Sequence, residues 1–148
     1  MSFPIKGFIE TSFVDWPGKI ASIVFLPLCN FRCPYCHNYD LVLDPDQFPS
    51  FPMDYIIGQL RQFRNWIDGV CITGGEPTLL PNLTELIKIL SNEQMLVKLD
   101  TNGSHPEIVE HLMRDRLVDC ISMDVKAPFE AELYSRCAGV QVNLDNIK

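Results

Sequence analysis

Three cysteines that fall within eight residues could hold a metal centre. Cys29, Cys33 and Cys36 follow the spacing C-x3-C-x2-C. Cysteine thiolates hold iron–sulfur clusters, usually four to a cluster, so three thiolates leave one iron of a 4Fe-4S cluster open to another ligand. A structural zinc ion needs four closed tetrahedral ligands, and His37 directly follows Cys36 and reaches the same metal with difficulty. The spacing favours the cluster and leaves zinc as the alternative.

Further polar residues follow apolar runs elsewhere in the chain. The paired glycines of Gly74-Gly75-Glu76 permit close approach of the backbone to a ligand, and the carboxylate could meet an ammonium group. Two later segments supply two carboxylates, a hydroxyl and an ammonium, which suit a small cation or a zwitterionic ligand. Their residues are Asp100, Thr101, Asp124 and Lys126. Alone, each also fits an ordinary turn, helix cap or solvated charge.

The apolar periodicity indicates elements that would bring these segments together. Strands are predicted at 20–26, 69–73, 95–101 and 119–126, and helices at about 53–66, 81–91 and 106–117. Buried strands that alternate with helices imply right-handed crossovers and a parallel α/β sheet. Strand-like residues 7–14 and a turn at 15–18 predict a hairpin before it. Because ligands bind beyond the carboxyl ends of parallel strands, the four polar segments should share one site.

The cysteine loop has the form C-x3-C-x-aromatic-C after the first main strand, and it resembles the signature of the radical S-adenosylmethionine (SAM) superfamily. The resemblance implies that the open iron is chelated by the amino and carboxylate groups of SAM. It further implies reductive cleavage of SAM to methionine and a 5′-deoxyadenosyl radical. Tyr35 resembles the adenine-side contact of the family, and His37 continues a Cys-His-Asn string typical of glycyl radical activating enzymes.

The other segments extend this resemblance. Gly74-Gly75-Glu76 is similar to the motif that binds the methionine amino group. In the pyruvate formate-lyase activating branch, positions that line the SAM site, with a monovalent cation nearby, match four residues here: Asp100, Thr101, Asp124 and Lys126. The closest resemblance is to activating proteins of anaerobic ribonucleoside-triphosphate reductase. It implies abstraction of a hydrogen atom from a backbone glycine of that reductase, and a reductant such as flavodoxin or ferredoxin.

The same resemblance implies a partial (β/α) barrel of about four βα units with an N-terminal β-hairpin. Residues 14–18 resemble the family's hairpin, and they would form either a structural turn or a contact to SAM or the substrate loop. Because relatives run on through further units, we expect this single domain, residues 1–148, to be either truncated relative to the family or a short family form that leaves an open face for its partner. An open sheet edge would then favour homo-oligomers or marginal stability. His105 and His111 are predicted at the surface of the third helix.

Composition excludes several other functions. A net charge of −7 argues against nucleic acid as a partner. The longest apolar stretch, 20–29, is too short to span a membrane, and no secretion signal is evident, so a cytoplasmic location is expected. The isolated Cys71, Cys120 and Cys137 are interpreted as small buried apolar residues. Two alternatives stay open: another glycyl radical enzyme or a small molecule as substrate, and a cluster- or zinc-binding remnant without activity.

Overall fold

The structure is a computed structural model that describes residues 2–148 and is built on one five-stranded sheet. The strands are β1 (Gly7–Ser12), β2 (Ala21–Leu26), β3 (Gly69–Gly74), β4 (Leu96–Thr101) and β5 (Cys120–Met123). They lie side by side in chain order, with β1 antiparallel to β2 and the other neighbours parallel. The predicted parallel α/β sheet with an N-terminal hairpin is confirmed. In residues 2–148 the sheet is open, with β1 and β5 at its edges.

Helices connect and follow the strands. They are α1 (Tyr39–Leu43), α2 (Met53–Gln62), α3 (Leu83–Asn92), α4 (Pro106–Arg114), α5 (Ala131–Ala138) and α6 (Leu144–Ile147), with short 3₁₀ turns at Pro45–Gln47 and Pro77–Leu79. Helix α4 ends three residues before the predicted 117, where Arg116 adopts a left-handed φ of 52° that a helix cannot continue. None of the helices in the described part of the chain is both long and apolar enough to cross a membrane.

One face of the sheet forms the main core with the helices. β-branched and leucine side chains of β2, β3 and β4 alternate toward this face, as expected for strands with a period of two. Helix α3 covers them with Leu83, Leu86, Ile87 and Leu90, all of which are buried. Burying a side chain of this size stabilises the fold by about 1.5–3 kcal/mol. This face therefore fixes the sheet and leaves the opposite face for other contacts.

On the opposite face of the sheet, called the inner face below, Trp16 covers the end at which the parallel strands β3 and β4 begin. This side chain is 7% exposed and packs with Ala21, Ile23 and Cys71. A side chain at Gly69 would overlap the Leu96 carbonyl and approach the Trp16 ring within 2.9 Å, so glycine leaves room for the indole. These contacts favour the structural interpretation of residues 14–18.

A second apolar cluster joins the cysteine loop to the C-terminal helices. Its buried members are Phe31, Cys33, Tyr134, Ala138, Val142 and Ile147, with Cys29 and Cys36 packed against them. The last helix, α6, spans Leu144–Ile147 and contributes Ile147 to this cluster. The segment that follows β5 thus supports the loop from outside the sheet.

An ion pair between α2 and the end of α3 gives a pH-dependent contribution to stability. The guanidinium of Arg61 donates two hydrogen bonds of 2.7 Å to the Glu93 carboxylate, and they hold the pKa of Glu93 below its usual range. The unfolded chain therefore binds more protons, and this stability is present above pH 4 to 5 and lost as the pH falls through the lowered pKa. Arg61→Met should flatten the pH dependence of urea unfolding below about pH 5.

The matched control is Lys88→Met, which removes an exposed charge from α3. It should leave the slope of unfolding free energy against pH unchanged. Equal slopes for the wild-type protein and Arg61→Met would show that this pair has no such role.

Candidate functional site

A cavity of about 520 Å³ lies at the carboxyl ends of the parallel strands. Its size falls within the range of about 300–1,000 Å³ that small-molecule sites occupy. It brings together all but one of the site residues expected from the sequence: Cys29, Cys33, Cys36, Tyr35, His37, Gly74, Gly75, Asp100, Thr101, Asp124 and Lys126. The exception is Glu76, which is buried and does not line the cavity. Asn38, Lys98, Asn102 and Ser122 also line the cavity and were not expected there.

The three thiols of the cysteine loop suit a cluster better than a single ion. Burial raises the pKa of Cys29 and of Cys33, and at Cys33 the positive charge of Lys126 opposes this effect. A structural zinc ion takes four ligands, whereas three irons of a 4Fe-4S cluster each take one of the three thiolates of this loop. The donor set therefore fits the cluster.

Helix α5 and the segment after β5 dock the cysteine loop. The Arg32 amide donates a 2.7 Å hydrogen bond to the Ala138 carbonyl, and a side chain at Gly139, where φ is 70°, would overlap the Arg32 carbonyl. The Lys126 amide donates to the Tyr134 hydroxyl at 3.2 Å. Sequence reasoning missed these contacts, although a glycine that ends an amphipathic helix is a recognisable cap signal.

Tyr35 joins the loop to the last strand-end segment. Its hydroxyl donates a 3.2 Å hydrogen bond to the Lys126 carbonyl, and burial raises the pKa of that phenol. The ring remains 51% exposed at the cavity mouth. His37 also lines the mouth and is exposed. Both positions are compatible with the ligand contacts expected of them, which stay predictions.

The paired glycines Gly74 and Gly75 line the cavity, and they also allow two backbone segments to lie close together. A side chain at Gly74, where φ is 111°, would overlap the Leu26 backbone, and one at Gly75 would overlap the Leu28 carbonyl. The Asn38 side chain donates a 2.8 Å hydrogen bond to the Gly74 carbonyl. Residues 74–76, the glycine loop, thus contact the chain on both sides of the cysteine loop, just before Cys29 and just after Cys36.

Glu76 is 1% exposed, and its carboxylate accepts four hydrogen bonds from the protein. One oxygen accepts from the Thr78 amide at 3.1 Å, the Thr78 hydroxyl at 2.5 Å and the Thr101 hydroxyl at 2.7 Å. The other accepts from the Asn102 amide at 2.6 Å. Three of the four donors share the first oxygen, so the second oxygen keeps one lone pair. Direct contact with a ligand ammonium stays a prediction, and it would use that lone pair or replace one of these bonds.

His105 continues this network, so it is not the simple surface residue that the sequence suggested. Its Nδ1 lies 3.0 Å from the Thr78 hydroxyl and 3.2 Å from the Ser104 hydroxyl. Thr78 gives its proton to Glu76, and Ser104 gives its proton to the Asn102 side chain at 2.6 Å. Neither hydroxyl has a second proton, so we assign the proton to Nδ1.

The network ends on the cysteine loop. The Asn30 amide donates to the Ser104 hydroxyl at 2.9 Å and accepts from the Asn102 amide at 3.0 Å. Asn30 lies directly after the first cysteine of the loop. A chain of directed hydrogen bonds therefore joins the glycine loop, the β4 end and the cysteine loop. Separate polar residues in a sequence carry no signal for such pairing.

Replacing His105 by its two amide analogues should separate the roles of its ring nitrogens. The side-chain NH₂ of His105→Asn lies near the Nδ1 position and can donate to Thr78, whereas that of His105→Gln reaches the Nε2 position. We expect His105→Gln to be about 1–2 kcal/mol less stable in urea than His105→Asn; because His105 is the N-cap of α4, where asparagine is itself a favoured cap, the proton is read from the ring ¹⁵N shifts of the wild-type protein. Ring ¹⁵N shifts should show a protonated Nδ1.

His111 provides the control, because it lies on the exposed face of α4 beside Asp115. Asparagine and glutamine should be equivalent there. Equal stabilities of His105→Asn and His105→Gln would contradict the assigned proton.

Two lysine–carboxylate pairs complete the site. Lys126 pairs with Asp124 after β5; burial lowers the pKa of Lys126, but the hydrogen bond and charge of Asp124 outweigh it and raise that pKa. Lys98 pairs with Asp100 on β4. The sequence signal for Lys98 is a lysine between two apolar residues of a strand.

The chain belongs to the radical SAM superfamily, whose family model matches residues 23–148. This family implies a 4Fe-4S cluster and SAM as cofactors, in agreement with the thiol donors and polar groups of the cavity. The predicted fold class and family are thereby confirmed.

Relatives that are named for different reactions have similar sequence identities to this chain. A Methanocaldococcus jannaschii protein named as a glycyl-radical enzyme activating enzyme is 34% identical over 85% of this chain and 51% of its own length. The pyruvate formate-lyase-activating enzyme of Clostridium pasteurianum is 30% identical, over 76% and 48%. A Methanococcus aeolicus protein named as a GTP 3′,8-cyclase is 30% identical, over 85% and 43%. The chain thus spans about half the length of the curated relatives it matches.

Proposed function

We propose that this chain generates the radical in a glycyl-radical enzyme activating enzyme. The observation that carries the proposal is the single cavity that joins three thiols to two ammonium–carboxylate pairs at the strand ends. Relatives named for glycyl-radical enzyme activation support it. No acid or base from the protein is required, because the hard chemistry belongs to the cofactors.

The residues of the chain would bind and orient these cofactors. Cys29, Cys33 and Cys36 would hold the cluster, which, when bound together with SAM, supplies the radical that removes a hydrogen atom from substrate carbon. The Asp124–Lys126 pair lies beside Cys33 and can take the charged amino-acid end of SAM. Asp100 would contribute a carboxylate to SAM or to a monovalent cation.

We propose the anaerobic ribonucleoside-triphosphate reductase as the partner. The open edges of the described sheet leave room for a glycine-bearing loop, and the net charge of −7 favours a neutral or cationic partner surface. A reductant such as flavodoxin or ferredoxin would supply the electron. Thiol ligands and a reducible cluster suit a cytoplasmic location, which completes the proposal.

The test is radical formation on the partner. The full chain, reconstituted with iron and sulfide without oxygen, is mixed with the reductase, SAM and reductant and then measured by EPR. A glycyl doublet that is absent from a reductase variant with alanine at the radical glycine supports the proposal. Cleavage of SAM without a doublet on this reductase, but with one on pyruvate formate-lyase, would move the partner to another glycyl radical enzyme.

A small-molecule substrate is the second candidate, and the relative named as a GTP 3′,8-cyclase favours it. In this case neither glycyl radical enzyme would give a doublet. GTP added to the reconstituted chain would be consumed in proportion to the 5′-deoxyadenosine formed. Without GTP, only slow uncoupled cleavage of SAM would remain.

A further inference from the structure

Lys98 places an ammonium group in a row of apolar side chains on the inner face of the sheet. The register aligns Ile23 of β2 with Cys71 of β3, Lys98 of β4 and Cys120 of β5. Lys98 is 4% exposed and Cys71 is fully buried. A buried charge is costly even when it is paired, and apolar residues in place of both partners of a buried ion pair are often as stable or more stable. The residue is therefore poorly explained by packing.

The hydrogen-bonding capacity of this ammonium is only partly used. Among the described residues, its one acceptor is the carboxylate of Asp100, two positions along the same strand. An ammonium has three donors, so two remain, and Lys98 lines the cavity. The neighbouring Cys71 does not neutralise it, because burial raises the pKa of that thiol to about 12. The two free donors can therefore form hydrogen bonds with a molecule in the cavity.

The cavity has two ammonium groups at two depths. Lys126 lies at the mouth, where its carbonyl accepts from Tyr35 and its charge acts on Cys33. Lys98 reaches up to Asp100, one residue before the end of β4 at Thr101, so its ammonium lies about 3 Å below the strand ends, whereas Lys126 pairs with Asp124 beyond the end of β5. A ligand held by the cysteine loop and Lys126 would occupy the mouth. The lower ammonium is left for a second molecule.

We infer that Lys98, held by Asp100, is a substrate-binding residue that donates hydrogen bonds to an amide carbonyl oxygen of the substrate. The inference rests on the proposed function and adds a subsite to it. Because Asp100 already balances the charge of Lys98, the pair is neutral and suits a neutral acceptor better than a phosphate or a carboxylate. In a glycine-bearing loop, that acceptor is a peptide carbonyl beside the radical glycine. Asp100, which is partly exposed, remains available to the ligand at the mouth.

The test uses Lys98→Met, which keeps the length of the side chain and removes its donors. The reconstituted variant should retain its iron content, because Lys98 is not among the thiol ligands. Since the change also frees the Asp100 carboxylate that is proposed for SAM, the peptide assay is run at saturating SAM. Its thermal midpoint should fall, because removal of one partner leaves the Asp100 carboxylate without its counter-charge. With a peptide that spans the radical glycine of the reductase, the KM for the peptide should rise about tenfold or more, as expected for a lost hydrogen bond to a charged donor. Lys88→Met, on the exposed face of α3, should change none of these values.

A modified peptide identifies the acceptor. Replacing the carbonyl next to the glycine by a methylene group should weaken binding to the wild-type chain but add little to the defect of Lys98→Met. Additive losses, an unchanged KM in Lys98→Met, or loss of the cluster or of SAM binding in that variant would each overturn the inference. Failure of the proposed function is seen separately, as a wild-type chain that forms no glycyl radical on the peptide or the reductase.

Discussion

Replacing Cys33 by alanine is expected to abolish both the cluster and the cleavage of SAM. Cys33 is one of three thiols on the cavity wall, and it is 6% exposed among the apolar residues that dock the cysteine loop. Two thiolates leave two irons of the cluster without protein ligands, which is too few to retain it. After anaerobic reconstitution and desalting, iron should fall to background, and 5′-deoxyadenosine should not form from SAM.

Cys71→Ala is the matched control, because this thiol is buried on β3 away from the cysteine loop and its raised pKa keeps it protonated. That variant should keep its iron and its activity. Circular dichroism should show that Cys33→Ala retains the sheet, since its core lies on the opposite face. A Cys33→Ala protein that still cleaves SAM would contradict the assignment of the ligands.

Replacing Glu76 by alanine is expected to cost about 3–5 kcal/mol of unfolding free energy. The change removes the acceptor of four hydrogen bonds and leaves buried donors, above all the Asn102 amide and the Thr101 hydroxyl, without partners. Each such group costs about 1–3 kcal/mol, and the hydroxyls can partly recover by rotating. Guanidinium unfolding monitored by circular dichroism measures the loss, which should also lower the thermal midpoint by about 10 °C.

Glu85→Ala on the exposed face of α3 provides the comparison and should change stability by less than about 0.5 kcal/mol. The Glu76 variant also separates two roles for this carboxylate. A large loss of stability supports the structural network described for it. Wild-type stability together with much weaker SAM binding would instead indicate that the carboxylate contacts the ligand directly.

Much of the fold could be predicted because its signals are local. The β-branched apolar run at 20–26 and the alternation of strands with helices predict the parallel sheet, and the observed β2, β3 and β4 begin and end within one residue of the predicted strands. The strand at 119–126 is shorter in the structure, ending at Met123. This edge strand pairs only with β4, and its exposed residues give little apolar signal to mark an end.

The residues that line the site could be predicted from the sequence, whereas the hydrogen bonds and packing contacts among them could not. Cysteine spacing and strand-end positions identify the cavity residues, because the carboxyl ends of parallel strands meet at one edge. The hydrogen bonds that Glu76 accepts from Thr101 and Asn102 join two distant segments, and the burial of Lys98 depends on the register of three strands. Such contacts join residues that are far apart in the chain. The partner protein and the predicted homo-oligomer stay predictions for the same reason, since surfaces carry weaker patterns than cores.

The most direct test of the central claim is a single anaerobic reconstitution of the wild-type chain, followed by metal analysis and an assay of SAM cleavage. We predict about four irons and four sulfides per chain, and formation of 5′-deoxyadenosine and methionine when a reductant is added. Zinc in place of iron, or a full cluster that leaves SAM uncleaved, would contradict the claim that this cavity is a radical-generating site.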